Sequence, residues 1–211
     1  MIFKKARRGD LRSPACTNGF RATTGRSYGM VLCLLLLLTA CQAKEPTQRA
    51  LDFRTDLLES GGCGFTADIS ADYGDRVYDF TVTCDYTAGE GARIEVLQPE
   101  EIAGIAAQVS PDGAKVIFDG VELDFGQLAE GNVSPIAASW LLGHCWTEAY
   151  TDSAGTDGDL YRITHLDGYN DEELTVDTWL DDAQTPVHAE IAYDGTRCLN
   201  IDISDFNLKT S

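Results

Sequence analysis

Three histidines, His144, His165 and His188, are the side chains of this sequence that could act as acids or bases near neutral pH. None stands in a recognised catalytic setting, because the sequence lacks the G-x-S-x-G, H-E-x-x-H, G-x-G-x-x-G and P-loop patterns. We therefore expect structural histidines, and a protein that is not an enzyme and has no metal or cofactor. The alternative is a hydrolase with a dispersed carboxylate site, which only the abundance of Asp and Glu supports.

Two acidic loops carry oxygen atoms of the kind that calcium prefers. They are TDSAGTDGDL, from residue 151, and HLDGYNDEEL, from residue 165. Their spacing differs from that of an EF-hand loop, and hairpin turns are rich in Asp and Gly for backbone reasons. We therefore expect turns here rather than metal sites.

The first 40 residues have the composition of an export signal. Seven basic residues and one acid, Asp10, precede an apolar run of 11 residues from Met30 to Ala40. That run is too short for a helix that crosses a bilayer, which needs about 20 residues. The whole chain has a net charge of −18, and loss of the basic leader would make it more acidic still. Nucleic acid is a poor partner for such a surface.

Cys41 is the cysteine for which the sequence predicts a covalent modification. The residues LTAC at 38–41 resemble the bacterial lipobox, in which small residues admit the lipoprotein signal peptidase and the cysteine thiol receives diacylglycerol. Stable anchoring needs a second acyl chain, such as palmitate, because one chain binds a membrane only marginally. The alternative is an ordinary signal peptide that happens to contain a cysteine. The lipobox predicts a signal peptide at 1–40, a polar tether at 41–48 and a domain at 49–211, lipid-anchored at the extracytoplasmic face of the cell membrane.

Four more cysteines follow Cys41, and no two of them form the C-x-x-C pair of a zinc or thioredoxin-like site. An even number outside the cytoplasm favours disulfides, whereas a reducing habitat would leave thiols. The four are Cys63, Cys84, Cys145 and Cys198.

The segment from Cys63 to Cys84 predicts a β-hairpin, because apolar and polar residues alternate on both sides of a turn. A two-residue turn at 73–74 places Cys63 opposite Cys84, with Cα atoms about 4.5 Å apart, near the close end of disulfide geometry. We therefore expect a Cys63–Cys84 disulfide, or at least a contact. The same register sets Asp68 against Asp79, a like-charge pair that solvent must ease.

The rest of the chain predicts short strands and two helices. Apolar positions Leu51, Phe53, Leu57 and Leu58 suit a first helix, which Gly61-Gly62 stops, and Ser134-Pro135 begins a second helix through IAASWLLGHCW. Alternation predicts strands after residue 62 at 92–98, 103–109, 114–118, 121–125, 146–151, 160–165, 172–180, 186–193 and 197–206. With the hairpin, these make about eleven strands.

The last hairpin is expected to have a three-residue loop at 193–195, which pairs Val187 with Ile201 and Ala189 with Leu199. Cys198 then lies on the face opposite Leu199. A Cys145–Cys198 disulfide would link the second helix covalently to the final strand, and two free thiols are the alternative.

The predicted strands and helices together indicate a mainly β (α+β) domain with a single curved antiparallel sheet covered by two helices.

The chain resembles the LolA/LolB-like lipoprotein superfamily over roughly residues 49–207, in particular its Gram-positive surface lipoproteins of the spore-germination type. The resemblance rests on the phrases IEVLQPEEIAGIAAQVSPDGAKVIFDGVELDFGQL, SPIAASWLL and TVDTWLDDAQTPVHAEIAYDGTRCLNIDISDF. It implies an open half-barrel whose apolar concave side is lidded by helices and holds an acyl chain, another lipid or an apolar segment of a partner protein. Because the superfamily shares no single activity, the resemblance indicates fold more than function.

Overall fold

The computed structural model describes residues 45–111, 113–118, 121–125, 128–129, 132–169 and 172–210. They belong to one compact unit, Lys44–Ser211, and the other unit, Met1–Ala43, lies outside the described residues. The leader and Cys41 therefore remain predictions. So does the Asp-Gly turn at 119–120, which also lies outside the described residues.

The described residues form two helices and thirteen strands. The helices are α1 (Pro46–Glu59) and α2 (Pro135–Thr147), and a single 3₁₀ turn occupies Glu100–Ile102. The strands are β1 (Gly62–Asp72), β2 (Val77–Thr87), β3 (Gly91–Gln98), β4 (Ala106–Ser110), β5 (Gly113–Phe118), β6 (Val121–Phe125), β7 (Leu128–Ala129), β8 (Asn132–Val133), β9 (Tyr150–Asp157), β10 (Leu160–Tyr169), β11 (Glu172–Leu180), β12 (Pro186–Tyr193) and β13 (Thr196–Leu208).

Eleven of the strands form one open antiparallel sheet, in the order β6-β5-β4-β3-β2-β1-β13-β12-β11-β10-β9, while β7 and β8 form a separate ribbon. The last strand returns to lie beside the first, so β1 and β13 occupy the middle of the sheet. The predicted sheet of about eleven strands with two helices is confirmed. The sheet does not close on itself, and this agrees with the open half-barrel that the resemblance implies.

Alternation along the strands gives the sheet two different faces. In β1, Phe65, Ala67 and Ile69 are buried, whereas Asp68 between them is exposed. Buried residues of this kind line the face that packs against α1 and α2, here called the inner face. The opposite, outer face carries the polar residues.

Helix α1 begins at a proline, whose missing N–H costs nothing in the first turn, and ends before Gly61 at φ +76°. Its buried stripe consists of Ala50, Phe53 and Leu57. Leu51 and Leu58, which the sequence reading placed on the same apolar stripe, are instead 49% and 48% exposed. The predicted helix is confirmed, but two of its four apolar positions face outward.

Helix α2 is buried on nearly all sides, with ten of its 13 residues buried, as expected of a helix that is apolar all round. It continues to Thr147, so the predicted strand at 146–151 is wrong in its first residues and β9 begins at Tyr150. Gly143 lies against the ring of Tyr86 on β2, and a Cβ there would approach the ring carbons to 2.5 Å. A glycine at this position lets the helix lie close to the sheet.

The first hairpin is present, but its predicted register is wrong by two residues. Pairing ends at Asp72 opposite Val77, which leaves a four-residue loop instead of a two-residue turn. The Asp72 carboxylate accepts the Gly74 N–H at 2.8 Å, which stabilises the longer loop. Cys63 consequently faces Tyr86, and Cys84 faces Phe65.

The last hairpin is also shifted by two residues from its predicted register. Asp194 (φ +47°) and Gly195 (φ +72°) form a two-residue turn with Tyr193 opposite Thr196. A β-bulge then skips Cys198, because Ala192 pairs with Arg197 and Ile191 pairs with Leu199. The bulge returns the apolar residues of β13 to the inner face.

Candidate ligand-binding site

An aromatic cluster lies beneath α1, in the middle of the inner face. Trp146 of α2 has its ring centroid 5.6 Å from Phe53 of α1, 5.6 Å from Phe65 of β1 and 6.1 Å from Phe206 of β13. Trp146 is fully buried. Two helices and the two central strands therefore meet at one apolar point, and α1 forms its roof.

Arg54 fastens this roof to α2. Its Nε donates to the Trp146 carbonyl oxygen at 2.9 Å, and its Nη2 donates to the carbonyls of Cys145 at 3.2 Å and Ala149 at 2.6 Å. These carbonyls lie at and just beyond the C-terminal end of α2, where a helix lacks internal partners and attracts positive charge. Burial lowers the pKa of Arg54 from its ordinary value.

Arg49 fastens the first turn of α1 to the far end of the sheet. Its guanidinium lies 3.9 Å from the centre of the Tyr161 ring, and its Nη1 donates to the carbonyl of Asp182 at 3.4 Å. In return, the Gln184 side-chain amide donates to the Arg49 carbonyl at 3.4 Å. Arg49 and Arg54, about one and a half helical turns apart, thus make polar contacts that hold α1 in place.

The inner face also contains polar groups. The Trp146 Nε1–H donates to Thr178 Oγ1 at 2.9 Å, which satisfies both groups away from water. In contrast, Ser139 Oγ and His165 Nδ1 are buried and have no hydrogen-bond partner within the described residues. Burial lowers the pKa of His165 to about 4, so its imidazole is neutral at pH 7. Unpartnered buried groups of this kind are uncommon in protein interiors.

The other two histidines lie outside this region. His144 on α2 has its Nε2 3.4 Å from a carboxylate oxygen of Asp167, and that interaction raises the pKa of His144. His188 on the outer face has its Nδ1 2.7 Å from Asp202 Oδ1, and its ring is 5.2 Å from that of Trp179. The structure does not bring the three histidines together.

All four described cysteines are buried, and no disulfide joins any of them to another described residue. In the observed register Cys63 and Cys84 are diagonal neighbours on one face rather than an opposed pair, and diagonal Cα atoms lie about 7–8 Å apart, beyond ordinary disulfide geometry. The register argument for their disulfide is therefore wrong. Cys198 lies at the bulge of β13 and its Sγ–H donates to the Ile191 carbonyl at 3.4 Å. Burial raises the pKa of each of Cys63, Cys84 and Cys145.

Two grooves of about 440 and about 470 Å³ open on the surface of the described residues. The first, the outer groove, includes the carboxylates of Asp68, Asp79 and Asp202. All three are exposed to solvent, and Asp68 accepts the Thr81 hydroxyl at 2.7 Å instead of opposing Asp79. A pair of converging buried carboxylates would have favoured the hydrolase alternative, and neither groove contains one.

Within the described residues no cluster of three or more His, Cys, Asp or Glu side chains could hold a metal ion. None of the described helices is both long and apolar enough to cross a bilayer.

Comparison with known proteins gives structural matches but no sequence matches. No protein-family model matches the sequence, and no curated protein does either. The fold is similar to a LolA superfamily protein from Nitrosomonas europaea, with TM-score 0.45 and 10% identity over 80% of this chain and 96% of the other. It is also similar to LprF from Mycobacterium bovis (TM-score 0.36, 11% identity, 79% and 97% covered) and to the Mycobacterium tuberculosis lipoprotein LppX (TM-score 0.31, 14% identity, 77% and 97% covered). These likenesses concern the fold alone.

Proposed function

We propose that this chain is an exported lipoprotein, anchored by acyl chains at Cys41 to the extracytoplasmic face of the membrane, and that it is a non-catalytic binding module for an apolar ligand or partner segment. The lipobox at 38–41 supports the anchor. Labelling of cells with a fatty-acid analogue is expected to mark the wild-type protein and not Cys41→Ala. Equal labelling of both proteins would contradict the anchor.

The inner face beneath α1 is the proposed binding site, and its roof is the observation that carries the proposal. An open sheet presents an apolar face with an aromatic centre, and α1, fastened by Arg54 and Arg49, packs against that centre through Phe53. Displacement of one helix would expose Trp146 together with the surrounding rings. Ser139 Oγ and His165 Nδ1, which have no hydrogen-bond partner in the part of the chain that the structure describes, offer hydrogen bonds to a polar group carried by an otherwise apolar ligand.

Quenching of tryptophan fluorescence by a fatty acid with bromine atoms on its chain tests this site, because bromine quenches at short range. Two single-tryptophan chains form a matched pair: one retains Trp146 after Trp140→Phe and Trp179→Phe, and the other retains Trp179 on the outer face. We expect saturable quenching of Trp146 and none of Trp179. Equal quenching of both, or no quenching of Trp146, would contradict the proposed site.

A second candidate is a module that binds a protein partner and holds no ligand. The observation in its favour is that α2, with its ten buried residues, fills much of the inner face with the protein's own side chains. The two candidates differ in the quenching experiment, since a filled face without ligand gives no quenching of Trp146. Native mass spectrometry of the protein purified from its own host supplies an independent comparison, because only the ligand-binding module would carry a non-covalently bound lipid in addition to the acyl chains at Cys41.

A further inference from the structure

The side of α1 that faces away from the sheet carries two large apolar residues that are half exposed. Leu51 is 49% and Leu58 48% exposed, and their separation by two helical turns places them on one line along the helix. Exposed apolar side chains that are scattered singly over a surface need no explanation. These two share one helix, so the other exposed residues of α1 decide what the pair can contact.

The outward residues of α1 fall into two sectors when each residue is rotated by about 100° from the one before it. One sector, about 100° wide, carries no charge and is here called the uncharged stripe. It consists of Thr47, Gln48, Leu51, Thr55 and Leu58, all of them exposed. The other sector holds the acids of this segment, Glu45, Asp52, Asp56 and Glu59. Such a separation is typical of a helix that lies at the boundary between water and an apolar phase.

Two polar side chains of the uncharged stripe already have partners within the helix. The Thr55 hydroxyl donates to the Leu51 carbonyl at 2.8 Å, and the Gln48 amide donates to the Asp52 carboxylate at 2.8 Å. Loss of water costs a hydrogen-bonded group less than a free one. The stripe can therefore leave water more easily than its composition suggests.

An exposed tyrosine follows the segment that α1 contacts on this flank. Arg54 lies three residues after Leu51 and four before Leu58, and it donates to the carbonyl of Ala149 at 2.6 Å. The next residue, Tyr150, is 69% exposed. Tyrosine has an apolar ring and a polar tip, a combination that is enriched at membrane–water interfaces.

The chain before α1 limits how far the uncharged stripe can be from a lipid anchor. Helix α1 begins at Pro46, inside the predicted tether, and Pro46 is only the fifth residue after Cys41. Five residues span at most about 18 Å, which is less than the length of α1 itself, about 21 Å. An anchor at Cys41 therefore holds α1 beside the lipid. Contact with the membrane is then intramolecular, so two half-exposed leucines suffice where a protein free in solution would need a larger apolar area.

We propose that the uncharged stripe of α1 lies on the surface of the membrane to which Cys41 is anchored, with Leu51 and Leu58 in the interface and the acidic sector turned towards water. The inference rests on the proposed anchor and goes beyond it, because an anchor alone fixes no orientation. The roof of the inner face then lies next to the lipid. An apolar ligand would pass between the bilayer and the inner face without crossing water.

A polarity-sensitive fluorophore on a single new cysteine tests this orientation. The protein is the Lys44–Ser211 unit, which contains every described helix and strand. A histidine tag before Lys44 holds it to a nickel-chelating lipid in vesicles of phosphatidylcholine and phosphatidylglycerol. The label is attached at Thr55→Cys on the stripe or at Asp68→Cys on the outer face, and the four native thiols stay unlabelled because they are buried.

A lipid with a nitroxide on its acyl chain is expected to quench the label at residue 55 and not the label at residue 68. Emission from residue 55 should also shift to the blue when vesicles are added. Asp68→Cys is a strict control, because loss of an acid makes the outer face more compatible with an anionic membrane.

Two substitutions and one control separate docking from simple proximity to the lipid. Leu51→Gln and Leu58→Gln are each expected to lower the ratio of docked to undocked molecules about fivefold, because the exposed half of a leucine side chain loses its burial. Leu97→Gln changes a leucine of β3 that is 42% exposed, and it is expected to leave the ratio unchanged.

Equal quenching at residues 55 and 68, no quenching at residue 55, an unchanged ratio in both α1 variants, or an equal loss in Leu97→Gln would overturn the proposal. A blue shift that needs only high protein concentration and no vesicles would also overturn it, because a second copy would then cover the stripe. The histidine tag replaces the acyl chains, so a chain that is not acylated at Cys41 leaves this result unchanged. Failure of docking likewise leaves the fatty-acid labelling of Cys41 unchanged, and the two proposals can therefore fail separately.

Discussion

Removal of the Arg54 guanidinium is expected to loosen the roof of the inner face more than any other change of one polar side chain on α1. Arg54→Met keeps most of the apolar stem and removes the three hydrogen bonds to the carbonyls of Cys145, Trp146 and Ala149. Each such bond contributes about 1 kcal/mol net for a partly exposed donor, and the lost carbonyl partners include the C-terminal end of α2. We therefore expect the free energy of unfolding to fall by about 3 kcal/mol.

Urea denaturation followed by tryptophan fluorescence measures this loss, and thermal denaturation should show a decrease of about 9 °C in Tm for a domain of this size. Arg54→Lys is the matched variant, because it keeps the charge but cannot reach three acceptors with a planar fork. Arg54→Lys is expected to lower the free energy of unfolding by about half as much as Arg54→Met. A loss below 0.5 kcal/mol (roughly the scatter for neutral surface changes) in Arg54→Met would refute the view that Arg54 fastens α1 to α2.

Three further predictions concern the interior. Gly143→Ala is expected to lower the free energy of unfolding by about 2 kcal/mol despite its better helix propensity, because its Cβ would lie 2.5 Å from ring carbons of Tyr86. The same substitution should cost less when it is made in a Tyr86→Leu background, because the ring that the Cβ would meet is then absent. The pKa of His165 in the folded protein, about 4, is below its value in the unfolded chain, so the unfolded state binds the proton more tightly. Between pH 7 and pH 4.5 the free energy of unfolding of the wild type should therefore fall by about 2 kcal/mol more than that of His165→Leu. Parallel plots of unfolding free energy against pH for the two proteins would contradict this. Because burial raises the pKa of Cys63 to about 12 and also that of Cys84, iodoacetamide at pH 8 should label neither in the folded protein and both in urea, whereas two thiols that stay unlabelled in urea would indicate a disulfide.

The architecture could be predicted from the sequence because its signals are local and repeated. Alternation in segments such as 172–180 and 186–193 gives strands whose bounds agree with the structure, and proline at the first position of α2 marks its start. Both predicted hairpin registers have the right faces and the wrong partners, because a shift of two residues preserves the side-chain period. Two features set the observed registers. The Asp72 side chain stabilises a longer loop in the first hairpin, and the bulge at Cys198 shifts the pairing of the last hairpin.

The candidate site was less accessible to sequence reasoning because its contacts are between elements far apart in the chain. Arg54 meets the end of α2 across more than 90 residues, and nothing in its local sequence marks it as a partner of carbonyl groups. The exposure of Leu51 and Leu58 shows the same limit: helical spacing fits two stripes of α1, and the sheet decides which one is buried.

The filled inner face makes the length of an acyl chain a test of how the module works. A ligand beneath α1 must replace the contacts of Phe53 and Leu57, two large side chains whose burial contributes about 2–3 kcal/mol each, and must break the Arg54 hydrogen bonds. Each buried CH₂ group returns about 0.8 kcal/mol, so a short chain cannot offset the opening of the roof and a long chain can. Shortening a bound fatty acid by four carbons is therefore expected to weaken binding by about 3 kcal/mol, a factor of roughly 200.

Arg54→Met should tighten the binding of both chain lengths equally, because it lowers the cost of opening and leaves the apolar contacts of the ligand unchanged. Titration of a chain-length series against both proteins measures the two effects separately. An affinity that does not depend on chain length would show that the acyl chain is not buried beneath α1.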